Sequence, residues 1–451
     1  MTGISKSGRT EFRALLHLAA PIMAVQIGMM SMGLVDTAML GMVSSDDVAA
    51  CGLGNSFSYL VANLCMGVLF ALDPLLSQAL GARDESAFAR GLRHGLVMAL
   101  LLTVPASVAW WYAGDFMAWI ELPERLVPRA ELYVHALIPS LFAFLGFVVL
   151  RVSLQALHRV RPILVVIIVA NLVNALLDWI LIHGHLGFAK SGIAGCGAAT
   201  TICRWLMFTG LAACAWPELR RALARDGGAF VDPRLLLRIL RYGLPIGLQL
   251  VVELGAFVVV MFLMGYLDDA EVAVAGHTIA INLAAFSFMM PLGLSIAASV
   301  RVGWAVGEGD MERVRKRARI ALVASAWIMA VWGFVFWLTP EPLLRMFTHE
   351  APVLAVALSL MPLAALFQVC DGLQVVAGGV LRGVGDTLLP AVCHIAGFWI
   401  LGVPLGYWLA FERGLGPVGL WWGLVLGLFA VSVVLVLRME QCIRRDTVQR
   451  I

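Results

Sequence analysis

Charge is scarce in this chain. Asp, Glu, Lys and Arg make up 14% of its 451 residues, hydrophobic residues make up 61%, and the mean hydropathy is +0.91. That balance excludes a soluble globular domain and marks an integral membrane protein. The short alternating segments of an outer-membrane barrel are also missing. The apolar runs instead suit helices that cross roughly 30 Å of hydrocarbon at about 1.5 Å per residue, so the expected fold is an all-α integral membrane protein. No Walker A motif, GxGxxG before a helix, nucleophile elbow or HExxH is present, which argues against ATP hydrolysis and against an enzyme. The eight cysteines (Cys51, Cys65, Cys196, Cys203, Cys214, Cys370, Cys393, Cys442) show no CxxC or Cys/His ligand spacing. They read as small core residues without disulfides, and no cofactor is expected beyond a coupling ion. No short apolar segment with a small-residue cleavage site precedes the first span, so no removable signal peptide is expected.

Against this background a few charges stand alone. Asp36 is the only formal charge between Arg13 and Asp46, Asp178 between Arg161 and Lys190, Glu253 between Arg241 and Asp268, and Asp371 between Glu350 and Arg382. A carboxylate at bilayer depth costs several kcal/mol unless protonated, paired or hydrated, so such residues mark an ion or substrate route.

Apolar windows between charged or Gly/Pro punctuation give about twelve spans, centred near Ile27, Leu60, Leu102, Phe144, Val169, Cys203, Val252, Leu283, Ala324, Ala364, Phe398 and Leu428. Alternate connections are basic, with Arg83, Arg90 and Arg93, then Arg159 and Arg161, then Arg220, Arg221, Arg225 and Arg234, then Arg313 to Arg319, then Arg382. The intervening ones hold Asp46, Asp47, Glu121, Glu124, Asp268, Asp269, Glu341 and Glu350, with Arg125, Arg129, Lys190 and Arg345 as exceptions. The basic set is expected to face the cytoplasm, together with both termini, which carry Lys6, Arg9, Arg444 and Arg445.

Sliding the second half back by about 224 to 228 positions superposes Pro21 on Pro245, Gly41 on Gly265, Gly52 on Gly276, Gly81 on Gly307, Asp84 on Asp310, Pro162 on Pro390, Gly192 on Gly416 and Gly195 on Gly419. Six helices recur in one orientation. The expectation is twelve transmembrane helices in two six-helix lobes related by a pseudo-two-fold axis along the membrane normal. The lobes would be residues 1–216 and 234–451, joined by a basic cytoplasmic linker, 217–233.

Asn174 and Asp178 lie four apart and share one helix face. With Asp36 and a hydroxyl from Thr37 or Thr200 they would form an oxygen-lined pocket for a proton or a sodium ion, since hard cations prefer such ligands. The plainer alternative pairs Asp178 with Arg204 and leaves Asp36 at the outer interface. Glu253 and Asp371 have no basic residue in their own spans. Ionised, they would attract a cationic ligand and bind protons in competition with it, the physical basis of exchange. Asp73, beside a proline and a basic loop, reads as a helix end near the surface. Phe257, Phe288, Met289 and their neighbours are candidates for a soft, adaptable cavity wall or for plain packing. His158, His277 and His394 read as hydrogen-bonded structural residues.

PIMAVQIGMMSMGLVDTAMLG, DPLLSQALGA, LQALHRVRPILVVIIVANLVNALLDWILI, GLPIGLQLVVELGAF and DGLQVVAGGVLRGVGDT together resemble the multidrug and toxic compound extrusion (MATE) family, in particular its bacterial NorM-like branch. The resemblance covers nearly the whole chain. It implies an inner-membrane antiporter that exports small cationic amphipathic drugs or dyes in exchange for inward sodium or protons. Under it, Asp36, Asn174, Asp178 and Thr200 form an N-lobe coupling site, with sodium a candidate at Asp36, Asn174 and Asp178, and Glu253 and Asp371 form a C-lobe site for cation or drug. Where relatives can carry a tyrosine four residues before the second acid, this chain has Phe367, which removes one cation ligand and favours protons there. The implied partners are cationic organic substrates and the lipid bilayer, with no nucleic acid, and the chain is expected to act as a monomer. Two other readings stay open. A lipid-linked precursor flippase of the wider superfamily would need a cationic cavity, and a non-transporting membrane enzyme or receptor would need clustered His, Ser or metal ligands at one interface.

Overall fold

The computed structural model describes residues 6–224 and 230–445, with side chains from Thr10 onward. Arg225, and the side chains of Lys6 and Arg9, lie outside them. Each expected span centre falls in its own helix. These are α1 (Thr10–Gly41), α2 (Ser45–Gly81), α3 (Glu85–Trp111), α4 (Val127–Ala156), α5 (Arg161–Leu181) and α6 (Gly192–Cys214). The second six are α7 (Pro233–Met264), α8 (Ala270–Glu308), α9 (Met311–Leu338), α10 (Ala351–Gly383), α11 (Leu388–Glu412) and α12 (Gly416–Arg444). Among the described residues, eleven helices are long and apolar enough to cross a membrane; the count reaches twelve if α6 and Trp216–Leu223, bent away from it by 81°, form one span. No strand occurs among those residues. Helices are what hydrocarbon permits, because they satisfy every backbone N–H and C=O within the segment.

The chain divides into two compact units, Ala24–Gly247 (the N-unit) and Met1–Met23 with Leu248–Ile451 (the C-unit). The division runs through α1 and α7, not through the 217–233 segment expected as the linker. In both helices it falls two residues beyond a proline, Pro21 and Pro245. The start of α7 stays with the N-unit because its glycines press on α2: a Cβ on Gly243 would lie 2.2 Å from Val68 O, and one on Gly247 2.5 Å from Leu64 O. The described residues on either side of 225–229 are tied to the N-unit. Trp216–Leu223 is helical, His94 of α3 accepts a hydrogen bond from the Asp232 amide at 2.7 Å, and the Arg93 guanidinium lies over Phe230. The start of α1 belongs to the C-unit, where Glu11 is ion-paired with Arg301 and lies 3.5 Å from Arg317.

The internal repeat is visible in the backbone. Asp84 and Asp310 each cap a helix, accepting from Ala87 N at 2.8 Å and Arg313 N at 3.0 Å. The residue before each is left-handed, Arg83 (φ 59°) and Gly309 (φ 76°). Both close the preceding helix with the same six-to-one bond, Asp84 N to Ala79 O and Asp310 N to Ala305 O. The same closure recurs at His158 (φ 57°) and Gly385 (φ 87°).

Within the N-unit, α4 packs against α2, α3 and α6. Pro139 interrupts α4 with a tight turn at Ile138–Ser140, and α6 bonds the carbonyls around it: Thr201 Oγ1 donates to Ala136 O and Trp205 Nε1 to Pro139 O. In the C-unit, α10 packs against α8, α9 and α12. Serines fix its height. Ser287 of α8 bonds Gln368, Ser295 of α8 donates to Val375 O, and Ser325 of α9 donates to Gly372 O. The helices α11 and α12 meet through Gly402, Gly406 and Gly423; a Cβ on Gly423 would lie 2.3 Å from Gly402 O. The wider π turns of Ile395–Gly402 allow glycines five apart, Gly397 and Gly402, to face α12 together. Small residues of this kind let helix backbones approach where no hydrophobic force drives them together.

Candidate functional site

In the N-unit, α1 carries Asp36, α5 carries Asn174 and Asp178, and α6 carries Thr200. The structure brings all four together. Asp36 is 3% exposed and Asp178 0%. Thr200 Oγ1 donates to Asp36 Oδ2 at 3.2 Å, while Asp178 and Asn174 lie beside Asp36. Thr37, the other hydroxyl considered, bonds Gly33 O instead. Two carboxylates cannot bond each other without a proton or a cation between them. Accordingly, both Asp178 oxygens, Asp36 Oδ1 and both polar atoms of the Asn174 amide have no hydrogen-bond partner, although all are buried. Buried polar atoms are ordinarily satisfied, so this set has unused capacity for a proton, a cation or water. Four residues before Thr200 on the same helix face, Cys196 adds its sulfur: Sγ and one oxygen each of Asp36 and Asp178 lie within 4.8 Å of one another. The neutral Cys196 carries no charge signature, and the sequence reading passed over it.

The alternative pairing of Asp178 with Arg204 is not formed. Arg204 donates to Ser140 Oγ at 3.2 Å and stacks over Phe144 and Trp110, with its charge 4.8 Å and 5.9 Å from the ring centroids. Asp73 lies in the first turn of Leu72–Gly81, a helix start as expected, but it is buried, and its charge acts on a second buried cation, Arg151 of α4. Arg151 donates to Gln26 Oε1 at 3.2 Å. It is a solitary charge too, hidden in the sequence by its closeness to Arg159.

In the C-unit, Glu253 of α7 and Asp371 of α10 line one cavity of about 290 Å³ with Phe257, Ile281, Phe288 and Phe367. Gln374, one turn after Asp371, joins the acids by donating to Glu253 Oε1 at 3.0 Å and Asp371 Oδ1 at 3.2 Å. Phe367, four residues before Asp371, is 3% exposed, and its ring lies 6.2 Å from Phe257 and 6.5 Å from Trp421. It closes the apolar wall and offers no oxygen. No arginine or lysine pairs with either acid among the described residues. His277 is structural as expected, accepting from Trp421 Nε1 at 3.1 Å. His394 is not merely structural: its Nε2 lies 2.8 Å from Gln374 Oε1 and 3.9 Å from Glu253 Oε2, which joins it to both acids. Gln374 and His394 were missed as site members because neither stands out as a charge. The three-residue step from Asp371 to Gln374 was the available signal.

The two sites are not copies of each other. The 224-residue shift places Val260 at Asp36 and Met29 at Glu253, so the repeat carries the scaffold and not the acids.

The MatE family model matches this chain twice, over residues 21–180 and 245–408, with the spacing of the internal repeat. The chain belongs to the MatE family. This MatE protein is 37% identical over 449 residues to a probable multidrug resistance protein NorM of Mesorhizobium japonicum, covering 98% of this chain and 95% of the relative. It is 35% identical over 447 residues to the multidrug resistance protein PmpM of Pseudomonas aeruginosa, covering 97% and 93%. Its fold matches the crystal structure of a eukaryotic MATE transporter, AtDTX14, with a TM-score of 0.87 at 23% identity over 97% of this chain and 98% of that one. It also matches an outward-facing multidrug resistance MATE family transporter, with a TM-score of 0.85 at 21% identity and 96% of each chain covered. It is a multi-pass membrane transporter, not an enzyme.

Proposed function

We propose that this MatE protein exports cationic, amphipathic organic molecules across the inner membrane in exchange for an inward-moving proton or sodium ion. The observation that carries the proposal is the C-unit cavity: two carboxylates without an arginine or lysine partner among the described residues, set in an aromatic and aliphatic wall. Apolar lining with a few placed charges is how proteins bind small organic molecules. Here the charge selects a cation and the rings accept its apolar body. The lining carries no basic side chain to hold a pyrophosphate, which supports a cation at this cavity over the lipid-linked precursor of the flippase reading.

The N-unit cluster supports the exchange half of the reading. Its orphaned oxygens suit a proton or a sodium ion, and neither needs room for an organic molecule. The relatives named as multidrug resistance proteins support efflux as the direction. The cytoplasmic placement of both termini rests on the loop charges, and the exceptions are largely neutralised: Arg125 pairs with Asp46 at 3.0 Å, Arg129 with Asp47 at 2.7 Å and Arg345 with Glu341 at 2.5 Å.

The test is dye transport in proteoliposomes with a proton gradient or a sodium gradient imposed separately. One gradient should drive accumulation of a fluorescent cationic dye. If neither does, the antiporter reading is wrong.

A further inference from the structure

His394 of α11 is fully buried, and each of its ring nitrogens faces a polar atom. Nδ1 lies 2.7 Å from Pro390 O, a carbonyl that can only accept, so Nδ1 carries a hydrogen. Nε2 lies 2.8 Å from Gln374 Oε1 and 3.3 Å from Gln249 Nε2, an acceptor on one side and a donor on the other. The ring is therefore placed to use Nε2 either as N–H or as a bare lone pair.

Which use holds is tied to the acids. Ionised carboxylates only accept, and Gln374 commits both of its N–H bonds to them, one to Glu253 and one to Asp371. Its oxygen is then turned to His394 and requires a donor. With Nδ1 already donating, the ring that satisfies Gln374 is the imidazolium, and the Gln249 amide then turns its N–H away from Nε2. When the acids are neutral they can donate, the Gln374 amide can turn over, and a neutral ring accepts at Nε2 from an amide N–H. Glu253 Oε2 lies 3.9 Å from Nε2, close enough for a proton to pass after a small approach. In that step the N–H bond breaks and an O–H bond forms, and one cation and one anion become two neutral groups. The titratable groups facing His394 are Glu253 from α7 and, through Gln374, Asp371 from α10; α12 presents Gly427 and Val431 to this part of α11.

We propose that His394 is a proton store for the C-unit site, holding a proton as imidazolium while Glu253 and Asp371 are ionised around a cation and returning it to Glu253 when the cation leaves. The inference rests on the reading of those acids as the cation site. It adds that one proton of each exchange stays inside the protein, so fewer are traded with water than the acids alone would require.

The state of the ring can be read without a gradient. Histidine-¹⁵N-labelled full-length protein in nanodiscs, at mildly alkaline pH with and without saturating tetraphenylphosphonium, gives the His394 signals by subtraction of the His394→Gln spectrum. The wild type should show Nε2 protonated with the cation and bare without it, the proton then left on Nδ1, and Glu253→Gln with Asp371→Asn should show it bare in both. A wild-type ring that keeps one protonation state with and without the cation overturns the proposal. As a second readout, binding of tetraphenylphosphonium by calorimetry in buffers of different ionisation enthalpy should release up to one more proton per cation from His394→Gln than from wild type. Equal release also overturns it. Dye transport tests the exchange reading separately, and its failure there is distinguishable because the ring signals do not depend on transport.

Discussion

Neutralising Asp371 isolates what one carboxylate contributes to holding a cation. Asp371 is 5% exposed, the Glu253 side chain 16%, and both line the same cavity. A monovalent organic cation about 4 Å from a carboxylate gains about 4 kcal/mol at the effective dielectric constant of about 20 that suits partly hydrated protein sites. Removing part of the water shell from both charges offsets roughly half of that. The net is about 2 kcal/mol, close to thirtyfold in affinity at about 1.4 kcal/mol per factor of ten. Asp371→Asn keeps the shape and the amide can still meet Gln374, so packing should be unchanged. We therefore expect tetraphenylphosphonium binding, measured by calorimetry on protein in nanodiscs, to weaken about thirtyfold in Asp371→Asn and by a similar factor in Glu253→Gln. The double variant should lose more than either, because in each single variant the remaining acid still holds the cation. An uncharged amphiphile of similar size should bind all four proteins alike. A double variant that binds the cation as tightly as wild type would refute the placement of the cation between these acids.

Asp36→Asn or Asp178→Asn should abolish gradient-driven dye transport while leaving equilibrium binding of tetraphenylphosphonium within about threefold of wild type, since the C-unit cavity is untouched; a loss of binding would merge the two sites. Gly423→Val should lower the thermal unfolding temperature by several degrees, because overpacking costs about 1–3 kcal/mol where Gly402 O cannot retreat. Gly33→Ala in α1, where a Cβ meets nothing within 4 Å, is its control and should cost nothing. Arg83→Gly should raise stability by up to about 1 kcal/mol by relieving a left-handed backbone, whereas Asp84→Ala should remove about 1 kcal/mol of capping. Melting curves that move opposite to these signs would show that the turn is not formed as described.

Much of this molecule is legible in its residues, and the parts that are not share a cause. Span centres could be read because burial in hydrocarbon writes long apolar runs, and each centre fell within one helix. Asp36, Asp178, Glu253 and Asp371 could be read because a lone charge in such a run is conspicuous. Cys196, Gln374 and His394 carry no formal charge in the sequence count, so only three-dimensional proximity identifies them. The repeat was found through Gly, Pro and Asp, which fix backbone geometry, and not through apolar residues, which any lipid-facing position accepts. At the caps even that signal drifted: glycine stands at Gly309 and Gly385, whereas Arg83 and His158 hold the same left-handed turn. The compact units divide elsewhere than the expected lobes for a related reason. Composition points to the polar segment 217–233, whereas the packing of Gly243 and Gly247 on α2 decides where one compact unit stops.

The ion pair of Glu11 with Arg301 bears on how the protein is made. Translation proceeds from the N-terminus, and the whole N-unit is synthesised between Glu11 and the helix that carries its partner. Until α8 emerges from the ribosome, the first turns of α1 have a carboxylate and an apolar face but neither of the arginines that Glu11 meets. The C-unit is thus assembled from a piece made first and pieces made last, and pairing of Glu11 with Arg301 and Arg317 belongs to the late stages of assembly. Replacing Glu11 should then leave insertion of the early helices intact and show itself as a full-length chain that is slow to become resistant to protease.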